Sequence, residues 1–194
     1  LNVVDDFKQI PKHADIDVDT INAVLEEGGK FAAEVTFPLN ISGDQQGCKL
    51  GADGVTTADG WKDAYKAFCD AGWNGLAMPV DFGGQGLPET FGIAVKEMTA
   101  SANMAFSLCP MLTGGSILAM LTCASDELKA VYLEKMITGE WTGTMHLTEP
   151  QAGSDLALIR SRAEPQGDGS YRVFGQKIFI TYGEHDMTDN IVHL

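Results

Sequence analysis

Met145-His146-Leu147-Thr148-Glu149-Pro150-Gln151-Ala152-Gly153-Ser154-Asp155-Leu156 carries an apolar stretch into Pro150, which has no amide hydrogen to continue a sheet ladder, and then into a turn of small residues. The backbone amides of such a turn can face an anion or a ring heteroatom. Further along, Lys177-Ile178-Phe179-Ile180-Thr181 reads as a strand, whose alternation predicts Ile178 and Ile180 on one face and Phe179 and Thr181 on the other. A ring and a hydroxyl on one side, near a turn rich in amide donors, suit a planar cofactor with polar edges.

These stretches resemble the acyl-CoA dehydrogenase family, whose middle β domain carries Leu/Val-Thr-Glu-Pro-x-Ala-Gly-Ser-Asp and then Gly-x-Lys-x-(Trp/Phe)-Ile-Thr/Ser. The second motif stands here as Gly175-Gln176-Lys177-Ile178-Phe179-Ile180-Thr181. Upstream, Met78-Pro79-Val80-Asp81-Phe82-Gly83-Gly84-Gln85-Gly86-Leu87 is similar to the family's Pro-x-x-(Tyr/Phe)-Gly-Gly-x-Gly turn. With Pro38-Leu39-Asn40, Gly43-Asp44 and Gly183-Glu184-His185-Asp186, the flanks are most similar to the branch that includes 3-methylmercaptopropionyl-CoA dehydrogenases.

The resemblance implies an α+β fold: an amino-terminal all-α helical domain over residues 1–140, then the start of a middle antiparallel β domain over 141–194. The family's carboxy-terminal helical domain, with its catalytic carboxylate, is expected beyond Leu194. Implied chemistry is removal of an α-proton and a β-hydride from an acyl-CoA thioester, with FAD as hydride acceptor, an electron-transfer flavoprotein as the next acceptor and a homo-oligomeric assembly.

Carried over residue by residue, Met145, His146, Leu147 and Thr148 meet the flavin's polar edge, and Gly153 and Ser154 meet cofactor and CoA. Ile180 continues the seat, and Thr181 is the better hydroxyl for flavin N5. Phe179 stands where many relatives have Trp, keeping a stacking surface without the indole donor. Phe106, Cys109 and Thr113, with Ser154, are the candidates to face substrate, against plain core packing for the first three. Glu149 is expected to hold its turn rather than act as base. An acyl-CoA oxidase, a non-catalytic flavin-binding module and a relative acting on something other than CoA esters share these letters.

With 27 acidic and 13 basic residues the net charge is −14, so nucleic acid and anionic membrane are poor partners. Cys48, Cys69, Cys109 and Cys123 form no Cys-x-x-Cys pair, which fits reduced thiols in a cytoplasmic protein. No apolar run is expected to reach the roughly 18 residues of a membrane span. Glu184-His185-Asp186 with His193 lacks diagnostic metal spacing, so no metal is expected.

In chain order, Asp19 is read as the cap of a helix with Ile21, Val24, Leu25, Phe31, Ala32 and Val35 on its buried face, ending before Pro38. Gly28 and Gly29 imply close packing by a neighbour. Residues 39–56 read as an exposed loop, and Thr57 as the cap of a helix with a Trp61, Ala64, Tyr65, Phe68 stripe stopped at Gly72. Pro88 opens a further helix. The segment from Asn103 to Cys123 is apolar all round and expected to be buried on several sides. Ser125 caps a helix buried through Leu128, Val131, Tyr132 and Met136. Trp141 to Thr148 then reads as a strand, and Gln166-Gly167-Asp168-Gly169 as a hairpin turn.

Overall fold

The computed structural model describes residues 2–194, with helices throughout the first part and short strands in the last. A short α1 (Val3–Lys8) leads to α2 (Val18–Phe31), whose N-cap is Asp17 rather than Asp19: its carboxylate accepts the Thr20 N–H at 2.8 Å. Gly28 lets α5 (Glu89–Ala102) approach, since a Cβ there would lie 3.1 Å from Val95 Cγ2.

Pro38 does not end the helical run. A π turn at Ala32–Thr36 lets Phe37 N–H reach Ala32 O at 2.9 Å, and Pro38 then occupies the first turn of α3 (Pro38–Gln46), where its missing N–H costs nothing. The expected loop over 39–56 is therefore this helix followed by a hairpin of β1 (Lys49–Gly51) and β2 (Gly54–Thr56), with Leu50 opposite Val55.

α4 (Trp61–Asp70) buries the expected stripe of Trp61, Ala64, Tyr65 and Phe68. Gly60 at φ +83° precedes it. Thr57 instead gives its N–H and hydroxyl to Asp186 Oδ1, at 3.1 and 2.7 Å.

α6 (Met104–Cys123) is the central helix, capped by the Asn103 side chain on Phe106 N–H. Phe106, Cys109, Thr113, Ser116 and Ile117 are wholly buried along one side, while Met104, Met111 and Leu118 are more than half exposed. It is not buried all round. At 20 residues it is also long and apolar enough, by length and composition, to cross a membrane, which corrects the expectation that no run reaches that length. Its buried side is the spine of the helical core, against Trp61 and Phe68 toward one end and Leu133, Met136 and Ile137 toward the other.

α7 (Asp126–Thr138) buries Leu133, Met136 and Ile137, not Leu128 and Val131, which are about half exposed. Gly139 ends it at φ +85°. β3 is only Thr142–Thr144, packed on α6, and it pairs in parallel with β6 (Ile191–His193). β4 (Arg162–Pro165) and β5 (Tyr171–Phe174) form the expected antiparallel hairpin.

Candidate functional site

Glu149 and Ala152 exchange backbone hydrogen bonds at 2.9 and 3.0 Å, closing a four-residue turn with Pro150 at its outer corner. The Glu149 side chain, 3% exposed, points back inside. It accepts the backbone N–H of Arg160 (2.9 Å) and Ser161 (3.1 Å), the Gln151 amide (2.6 Å) and the Lys177 ammonium (2.8 Å). Lys177, then Ser161 and Arg160, hold this carboxyl far below the usual range. A group so fixed as an anion is a structural clamp, whereas abstraction of an α-proton calls for a carboxylate of raised pKa.

Lys177 also donates to Leu147 O at 3.2 Å, and Ile178 N–H to Thr148 O at 3.0 Å, so the second stretch lies along the first. It does so without forming a strand. Phe179 sits at φ +58° and Tyr182 at φ +53°, left-handed angles that break the expected alternation. Ile178 and Ile180 are half-buried, Thr181 is exposed, and the Phe179 ring stands 86% exposed. Thr148 is half-buried; among the described residues, no partner takes its N–H or hydroxyl. Gly153 and Ser154 are exposed, with open space where a Gly153 Cβ would stand.

Met145 is half-buried and Leu147 is 45% exposed. His146 donates its N–H to Leu194 O at 2.6 Å, and its Nε2 lies 2.6 Å from His193 Nδ1. Burial first, then His193 and Lys177, push the His146 pKa down.

Thr181 faces a joint with the helical part. Its carbonyl accepts the Thr144 hydroxyl at 2.7 Å, and the next residue, Tyr182, donates its hydroxyl to Ala105 O of α6 at 2.8 Å. His185, 5% exposed, takes Met187 N–H on Nδ1 (3.2 Å) and meets Thr142 Oγ1 with Nε2 (3.0 Å), a pattern that assigns the neutral Nε2–H tautomer. Neither the Lys177 clamp nor this joint was read from sequence; Lys177 and His185 were both in quoted motifs, but only folding shows their partners.

A cavity of about 590 Å³ opens beside Thr181, between α3, the β1–β2 hairpin, α6 and the Tyr182–His185 loop. A second, of about 210 Å³, lies between α5 and α6. Phe106, Cys109 and Thr113 line neither. All three are wholly buried, and Thr113 Oγ1 is spent on Cys109 O (3.0 Å) and Gly143 N–H (3.1 Å). These three belong to the core, and α6 borders the larger cavity through Ala105 and Leu108. Among the described residues, no three His, Cys, Asp or Glu side chains gather as a metal site.

Residues 50–140 match the model of the acyl-CoA dehydrogenase, N-terminal domain, family. The chain is 50% identical over 182 residues to 3-methylmercaptopropionyl-CoA dehydrogenase of Ruegeria pomeroyi, covering 94% of this chain and 31% of that protein. Among solved structures, acyl-CoA dehydrogenase from Geobacillus kaustophilus superposes with a TM-score of 0.74 at 23% identity, covering 92% of this chain and 43% of that one. The FAD complex of PigA does so at 0.69 and 24%, covering 86% and 41%. The chain thus spans about a third of the length of the Ruegeria relative. With helices followed by the onset of a β region, and both motifs folded against each other, the chain belongs to the acyl-CoA dehydrogenase family.

Proposed function

We propose that the protein carrying these residues is an FAD-dependent acyl-CoA dehydrogenase that forms the 2-enoyl thioester. The carrying observation is Phe179: an aromatic ring left 86% bare on a backbone angle of +58° that costs about 1–3 kcal/mol fits a surface waiting for a planar partner. Thr148, whose carbonyl takes the N–H of the neighbouring Ile178, keeps its own N–H and hydroxyl unengaged, as donors for polar ring edges. When bound, FAD supplies the hydride acceptor.

The residues present fit that role. Met145 to Thr148, Phe179, Ile180 and Thr181 would hold the flavin ring. The exposed amides of Gly153 and the hydroxyl of Ser154 are available to phosphate or CoA. The base lies outside these residues, because Glu149, the one buried carboxylate among the described residues, is clamped as an anion. In this reading the helical domain passes into the β domain near residue 140. A homo-oligomer in the cytoplasm, passing electrons to an electron-transfer flavoprotein, completes it.

For substrate we favour 3-methylmercaptopropionyl-CoA, on the strength of the 50% identity to the Ruegeria protein. Anaerobic titration of the full-length protein tests this, with butyryl-CoA and octanoyl-CoA as comparators. Bleaching of the flavin band at the lowest concentration by the sulfur-containing thioester is expected. Bleaching by the others alone removes the substrate assignment, rapid peroxide formation in air turns the reading to an oxidase, and a purified protein without flavin overturns the seat.

A further inference from the structure

We propose that the His146–His193 pair takes up one proton from solvent when the flavin seat gains negative charge, and so makes the cofactor's reduction depend on pH. This rests on the acyl-CoA dehydrogenase reading of the parent protein and on the seat proposed above.

The two imidazoles stand 47 positions apart in sequence. They meet because β3 and β6 pair in parallel, with Thr144 opposite His193, and the pairing runs on through His146 N–H to Leu194 O. His146 Nε2 then faces His193 Nδ1 at 2.6 Å, with the rings edge to face at a centroid distance of 4.8 Å. Such a contact needs one hydrogen between the two nitrogens. A neutral pair has it, and so does a pair with one added proton, whose extra hydrogen sits on an outer nitrogen. Two added protons would set N–H against N–H, so the joined pair accepts one and resists the next.

Of the residues assigned to the seat, from Met145 to Thr148, Gly153, Ser154 and Phe179 to Thr181, His146 alone titrates near neutral pH. The charged or titratable groups acting on it are His193 and Lys177, and the Lys177 ammonium is bound to the Glu149 carboxylate at 2.8 Å, which offsets its charge. Burial first, then His193 and Lys177, hold the His146 pKa below 6.5, so this ring is neutral at pH 7. A hydride delivered to the flavin adds one negative charge to the seat, and that charge raises the proton affinity of a neighbouring imidazole. His193 is exposed and meets water, while His146 is the half-buried inner partner. For each substrate oxidised, one hydride goes to the ring, one solvent proton to the pair, and the α-proton to the base outside these residues.

The test follows the flavin midpoint potential of the full-length holoenzyme against pH, in wild type, His146→Asn and His193→Phe. For a two-electron couple each proton taken up changes the ratio of reduced to oxidised flavin tenfold per pH unit, about 30 mV. Between pH 7 and 8 wild type should show a hundredfold change per unit, two protons, and both variants tenfold, one proton. NMR of isotope-labelled histidine in the deflavinated full-length protein gives a second readout. His146 and His193 should titrate in two separated steps, His146 below 6.5, and each variant should leave the remaining ring a single step. A tenfold slope in wild type overturns the proposal without recourse to any variant. A hundredfold slope that survives both substitutions, or two rings that titrate independently, overturns it as well and leaves the seat standing. A protein without flavin, or with flavin that no thioester bleaches, overturns the dehydrogenase reading and the proton uptake with it.

Discussion

Replacing Phe179 by glycine separates its part in the fold from its proposed part in holding flavin. A left-handed angle costs a non-glycine residue about 1–2 kcal/mol, which glycine recovers, while its freer unfolded chain takes back about 0.5–1 kcal/mol. The ring is 86% exposed, so of a side chain of about 200 Å² only roughly 30 Å² is hidden, worth about 0.7 kcal/mol. Stability of the flavin-free protein should therefore stay within about 1 kcal/mol of wild type. A flavin lying on one face would cover roughly 85 Å² of the ring, so glycine should lose about 2 kcal/mol of cofactor binding, near thirtyfold in Kd. Urea unfolding of deflavinated full-length protein gives the first quantity and quenching of FAD fluorescence on titration gives the second. An unchanged Kd would show that the ring is not part of the seat. A stability loss above about 2 kcal/mol would show that it packs on protein after all.

Three further changes test the surroundings. Glu149 is ionised in the fold with a pKa below its ordinary 4.5, so its contribution is present above pH 4.5 and lost only as pH falls through the lower folded value; Lys177→Met removes the leading cause, and the acid-unfolding midpoint should move to higher pH. Gly143→Ala places a Cβ 2.7 Å from both Met136 Cε and Ser116 Cβ where β3 meets α6, and should cost about 1–3 kcal/mol in urea unfolding. His185 has its pKa lowered from 6.5, chiefly by burial, so its neutral form favours the fold above pH 6.5 and that advantage fades as pH falls; His185→Gln should flatten the decline in stability between pH 7 and 5, read by melting temperature.

The helical part was legible where one period and one stop agreed. Trp61, Ala64, Tyr65 and Phe68 bury as a stripe, and Gly72 closes the segment at φ +76°. Pro38 misled because the rule that proline ends a helix omits its tolerance in a first turn, here reached through a π turn that no residue type announces. α7 shows the same limit: Leu128 and Leu133 are equally apolar letters, and only the position of α6 decides which one is covered. At the candidate site, the motif letters picked out two stretches that the fold brings together, but misjudged their geometry. Alternation presumes a ladder on at least one side, and Lys177 to Thr181 has instead a single backbone bond to the first stretch, from Ile178 to Thr148, and one local turn bond, from Gly183 to Ile180. Freed from a ladder, Phe179 could take the left-handed angle that turns its ring outward.

That freedom ends at Thr181. From there to Asp186 the chain is pinned four times: by Thr144 on the Thr181 carbonyl, by Tyr182 on Ala105, by His185 on Thr142, and by Asp186 on Thr57. Two of these anchors belong to β3 and two to the helical part, so the segment that follows Ile180 is fixed to both. A shift of α6 or of the hairpin is thereby carried to Thr181 through hydrogen bonds rather than through loose packing. The proposed seat is in this sense a property of the whole chain: the motif supplies the groups proposed to face the cofactor, while residues far from it in sequence, Thr57 and Ala105, determine where Thr181 to Asp186 stand.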